Sequence, residues 1–284
     1  MAKRAFPPSV RQRRLGAELR RLREHAELSV TKAAALLGSS QPQVSSVELG
    51  HFAVSADRVR AMARSYTCTD EALIDALAEM TGGRTRGWWD EYRDILPADT
   101  LDLAELEHHA TAMRTAAVIH LPGVLQTRAH AHAVISDVVP TLSPPEVEHR
   151  VSYRIKRQAV LYRENPTPLT AIIHEAALRM GFGGPDVARA QLKTLLDLSE
   201  HEHITIRVVP FGASTFPSSG QGIHHMAGAI PALDTVQLDT DHGSAFLDNQ
   251  PQLVKYRTVL DRMEGCSLKP AASRTLIRRL AQDI

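Results

Sequence analysis

Twenty-three residues near the N-terminus, Leu28 to Gly50, constrain this chain more than any other stretch. They read as two short helices joined at a glycine, the second opening on small polar residues and ending at another glycine, which is how a helix-turn-helix looks in sequence. Ser29 is placed to cap the first helix, which carries Ala33, Ala34, Leu36 and Leu37. Gly38 falls where the chain must turn sharply, because a residue without Cβ enters the left-handed region at little cost. Ser40 then caps the next helix and Gln43, three residues on, completes a capping box. Pro42 lies in the first turn, where its missing N–H is an orphan donor anyway. Ala34, Leu37, Val44 and Val47 supply the apolar contact between the two helices. The partner implied is duplex DNA.

These residues also carry a resemblance. Gly38, Ser40, Gln41, Val44, Ser45, Glu48 and Gly50 form a pattern similar to the Xre-type helix-turn-helix of phage repressors and many bacterial regulators. The resemblance implies that the helix opening at Ser40 is the recognition helix. It puts Gln41, Pro42 and Ser46 toward base edges, Gln43 and Ser45 nearer the phosphates, and an internal ion pair between Arg23 and Glu48. Pro42 and Ser46 stand where longer polar side chains are common, so direct readout leans on Gln41, whose amide can pair bidentately with adenine. Gln43 has two readings, capping residue or DNA contact.

Net charge bears on how such a protein holds DNA. The chain of 284 residues carries only +1, so any electrostatic footprint is local. Lys3, Arg4, Arg11, Arg13, Arg14, Arg20, Arg21 and Arg23 crowd the first 23 residues, opposed there only by Glu18. Arg11, Arg13 and Arg14 are the arginines expected to track phosphates, the alternative being a solvated helix face. Cys68 and Cys266 are far apart and match no metal spacing, and no apolar run approaches membrane-spanning length; a cytoplasmic protein is expected.

Periodicity predicts helices over 9–26, from Ser55 and from Thr69, giving a five-helix domain over residues 1–80. Residues 81–87, rich in glycine, read as a linker, and 88–284 as a second domain that binds a partner or effector. Trp88, Trp89 and Tyr92 form an aromatic knot, read as an anchor or, alternatively, a stacking platform. Helices are then expected near 101–117, 123–136 and 144–163. The last carries Arg150, Arg154, Lys156, Arg157 and Arg163 as a solvated face or a partner-binding one. Strands are expected over 168–173, 204–209, 222–229, 233–239 and 244–248, with helices around 185–200, 250–264 and 270–282. The fold class is therefore multidomain: an all-α helix-turn-helix domain, then an α/β or α+β domain on a small mixed sheet.

A second resemblance covers roughly 10–282. Leu121–Thr127, His174–Leu178, Gly183–Pro185, Gln191–Leu195 and Ile206–Phe211 are similar to the C-terminal domain of a large group of actinobacterial helix-turn-helix regulators described as antitoxin-like. The resemblance implies a DNA-binding regulator whose second domain senses something, often a small protein encoded nearby. Enzyme chemistry finds no support. His174-Glu175 lacks the second histidine of a zinc-hydrolase helix, since Leu178 stands there. His224, Asp239 and His242 converge only if two strands form a hairpin, and no nucleophile elbow or phosphate loop is present. No cofactor and no metal is expected; a homodimer on a palindromic operator is.

Overall fold

The computed structural model describes residues 7–81, 87–218, 220–240 and 242–284. Most of the linker expected over 81–87 lies outside them, as do Lys3 and Arg4. The chain divides into two compact units, Met1–Asp90 and Glu91–Ile284.

In the first unit every described helix begins on a side-chain cap. α1 (Val10–His25) starts with a reciprocal capping box between Ser9 and Gln12. α2 (Val30–Leu36) is capped by Ser29, α3 (Gln41–Glu48) by Ser40, and α4 (Ala56–Ser65) by Ser55. α5 (Glu71–Glu79) starts one residue later than Thr69 suggests: the carboxylate of Asp70 accepts from the Leu73 amide at 3.0 Å, and an anion also suits the positive helix end. Leu19, Ala33, Val59, Ala63, Ile74 and Leu77, one or two from each of four helices, are fully buried together. α1 comes unusually close to α3 at Gly16, where a Cβ would lie 2.5 Å from the Glu48 carbonyl oxygen and 2.6 Å from that of Val47.

In the second unit a sheet ordered β3-β2-β1-β4-β5-β6 is covered on both faces. Its strands are β1 (Ala112–Ala117), β2 (Leu169–His174), β3 (Ile204–Val209), β4 (Ile223–Ala227), β5 (Thr235–Thr240) and β6 (Gly243–Leu247). β1, β2 and β3 run parallel, whereas β4, β5 and β6 pair antiparallel, so the sheet is mixed. The helices are α6 (Ala98–His109), α7 (Arg128–Ser136), α8 (Pro144–Arg157), α9 (Glu175–Arg179), α10 (Pro185–Leu198), α11 (Gln250–Cys266) and α12 (Pro270–Asp283). Alternation along β2 sends Leu169, Ala171 and Ile173 into the layer holding α9, α10 and α12, and Ile172 into the layer holding α11.

The main departure from expectation is β1. A single helix through 101–117 does not form; α6 stops at His109 and Ala112–Ala117 becomes an inner strand between β2 and β4. Alanines there favour helix locally, but strand pairing on both sides outweighs that preference. The helix expected over 123–136 is a short 3-10 turn, Gly123–Leu125, followed by α7 capped by Thr127; the one over 144–163 ends at Arg157 and tightens into a 3-10 turn, Gln158–Leu161. The solvated basic face expected on α8 is also corrected. Arg157 is buried, with Nε and Nη2 on the two oxygens of Glu107 at 2.8 and 2.6 Å. Arg163 donates to the carbonyls of His108 and Asn165. Tyr92 shares a hydrogen bond with Ser152 at 3.0 Å and packs edge-on to Tyr153, while Trp89 is buried and offers no open face for a base.

Candidate nucleic-acid interface

The interface is built from α2, the turn at Gly38 and α3. Gly38 adopts φ +56° and Gly50 φ +74°, the left-handed region that each turn requires. A Cβ on Gly50 would also sit 2.9 Å from the backbone of Gln12, so this glycine both ends α3 and lets α1 pass. Ala34, Leu37 and Val44 are buried between the helices; Val47 is half-buried at the edge.

Gln43 closes the capping box. Its Oε1 accepts from the Ser40 amide at 3.1 Å and from the Ser39 hydroxyl at 2.9 Å, while its own amide donates to Ser40 Oγ at 3.4 Å. The amide NH2 of that side chain takes no part in the box. Gln41 and Pro42 are exposed on the first turn, and Ser45 and Ser46 are half-exposed further along. Backbone amides at the start of α3 point the same way, so this end of the helix favours an anion such as a phosphate.

Arg23 and Glu48 hold α1 to α3 from inside. Nε to Oε1 is 2.7 Å and Nη2 to Oε2 is 2.9 Å, with both residues about 6% exposed. Arg23 Nη1 also donates to the Leu28 carbonyl at 2.8 Å, tying in the start of the helix-turn-helix. The hydrogen bond to Glu48 is the main reason that the guanidinium is held above its usual pKa.

The basic N-terminal segment is less available than its composition suggests. Arg14 is 5% exposed and bridges to Glu18 at 3.2 Å, so it does not reach a phosphate; burial along the α1 core stripe decides this. Arg11 is turned to the end of α5, donating to the carbonyls of Met80 at 2.5 Å and Glu79 at 3.1 Å, where a cation satisfies orphan acceptors. Arg13 is exposed and donates to the Pro8 carbonyl. Exposed Lys32 on α2, and Arg58, which donates to the Leu37 carbonyl at 3.0 Å, flank the motif and were not singled out from sequence. Only their charge could have marked them.

In the second unit, His224 and Asp239 do approach, with Nε2 to Oδ2 at 3.9 Å across the β4–β5 pair; His242 is exposed. Among the described residues no group of three or more histidine, cysteine, aspartate or glutamate side chains has the geometry to hold a metal ion. His174 caps α9, its Nδ1 accepting from the Ala176 amide at 3.1 Å.

A capped turn, a short exposed helix and a buried pair bracing it define the class: a helix-turn-helix DNA-binding regulator. Comparison with known families agrees, since a helix-turn-helix domain family matches residues 14–77. Over more than half of its length, residues 100–279, the chain belongs to the family described as domain of unknown function (DUF5753). No curated protein and no solved structure matches it. No helix among the described residues is long and apolar enough to cross a membrane.

Proposed function

We propose that this protein is a sequence-specific transcriptional regulator of Xre type that binds a palindromic operator as a two-fold dimer and whose second unit responds to a partner protein or effector. The observation that carries the reading is α3: a rigidly capped helix whose exposed first turn presents Gln41 and Pro42, with Ser46 beyond. Gln41 reads a base edge, Ser40, Gln43 and Ser45 sit near phosphates, and Arg13 adds salt-sensitive affinity. One helix offers few base contacts, so specificity needs two copies, with half-sites roughly 10 bp apart, one turn of the duplex. The site has no role for a cofactor, and the function is binding rather than catalysis.

A genome-wide map of bound sites tests this directly. Inverted repeats with centres spaced by about one helical turn, roughly 10 bp, are expected; occupancy with no shared motif would contradict a sequence-reading role.

A further inference from the structure

Gln43 makes more hydrogen bonds than its capping box requires. Such a box asks one thing of the side chain at this position, an acceptor for the N-cap amide. Here Oε1 takes three donors: the Ser40 amide at 3.1 Å, the Ser40 hydroxyl at 3.2 Å and the Ser39 hydroxyl at 2.9 Å. The contact from Ser39 is the shortest, and Ser39 stands outside the box, one residue before the N-cap. A backbone N–H can only donate, so the atom facing it is the oxygen, and this fixes which way the amide points. Nε2 therefore faces away from the cap, and no acceptor meets it among the described residues.

An exposed glutamine ordinarily samples several rotamers, and holding one costs side-chain entropy. Gln43 is exposed, yet its hydrogen bonds remove that freedom before any ligand arrives. A ligand that needs an N–H donor here meets a group oriented in advance. The surroundings favour an anion. Amides at the start of α3 carry the positive end of the helix. Ser39 and Gln43 line a cleft of about 390 Å³ that Arg58 of α4 also lines, with Val44 and Met62 on its apolar side and no carboxylate. Arg58 is held by the Leu37 carbonyl at 3.0 Å and forms no ion pair among the described residues.

We propose that Ser39 is a positioning residue for DNA binding: its hydroxyl turns the Gln43 amide so that Nε2 donates to one backbone phosphate at the mouth of this cleft. Gln43 is then cap and contact at once, Oε1 serving the helix and Nε2 the DNA. Ser39 itself touches no DNA. A phosphate carries no sequence information, so the contact strengthens binding to every duplex alike. The proposal rests on the reading of α3 as the helix that meets DNA.

A double-variant cycle of Ser39→Ala and Gln43→Glu tests it, reading the affinity of the full chain for the mapped operator and for a random duplex of equal length at one fixed salt concentration. Glutamate keeps the acceptor that the box needs and suits the positive helix end, so α3 stays capped. Gln43→Glu should nevertheless lose about tenfold or more on both duplexes, because the donor is gone and a negative charge faces the phosphate. Ser39→Ala, which changes no charge, should lose about threefold on both, and Ser39→Thr should restore the affinity. In the Gln43→Glu background Ser39→Ala should cost nothing further, since a residue that acts through another adds nothing once that one is gone. Parental affinity in either single variant overturns the proposal. So do equal losses from Ser39→Ala in both backgrounds, which would make Ser39 a contact or a fold-stabilising residue in its own right. A parent that holds the operator no better than the random duplex fails the operator reading instead, and the cycle is then decided on the random duplex; a parent that holds neither overturns both.

Discussion

Arg23 and Glu48 show how a single pair can decide a whole motif. Breaking a buried pair by removing one partner is costly because the other charge is left stranded, whereas replacing both with apolar groups is often neutral. Arg23→Ala should therefore reduce the opening free energy of α1 and α3 by about 3–5 kcal/mol, read as hydrogen-exchange protection of their amides. The Arg23→Met, Glu48→Leu double variant should recover most of it. Unchanged protection in the single variant would remove the pair from the account. His130 offers a second residue-scale test. Burial, then the charge of Arg154, lowers its pKa to about 4. For a base whose folded pKa lies below its unfolded value of about 6.5, the unfolded chain binds more protons between the two. Its contribution to stability is thus complete above pH 6.5 and is lost as pH falls toward about 4. Ring resonances titrating near 6.5 in the folded protein would contradict this.

At the scale of elements, the close crossing of α1 and α3 matters most. Alanine normally stabilises a helix interior relative to glycine by about 1 kcal/mol. At Gly16 the sign should reverse, since the added methyl meets the Glu48 and Val47 carbonyls at 2.5–2.6 Å. Gly16→Ala should cost about 1–3 kcal/mol, as overpacking does, and a stabilised variant would show that the helices can slide apart freely. The same scale separates what was legible in the sequence from what was not. The helix-turn-helix was readable because its signals are local: Ser29, Gly38, the Ser40–Gln43 box and Gly50 each act within a few residues. β1 was not, since Ala112–Ala117 carries no strand signal of its own and is held by partners 56 residues ahead in β2 and 107 to 115 ahead in β4. Nor was the fate of Arg14, Arg154 and Arg157. A charged residue reads as surface until the fold supplies Glu18, Gln126 or Glu107, and the last of these stands 50 residues away.

For the whole molecule, a unit whose chemistry is written in α3 precedes a second unit built on a mixed sheet. In the function proposed, α3 reads sequence through Gln41 while charge supplies the rest. The direct measurement is the affinity of the full chain and of Gln41→Ala for the mapped operator and for a random duplex of equal length, at one fixed salt concentration. The variant should lose about 1–3 kcal/mol on the operator and keep its affinity for random DNA. Equal losses on both duplexes, or none on the operator, would contradict it.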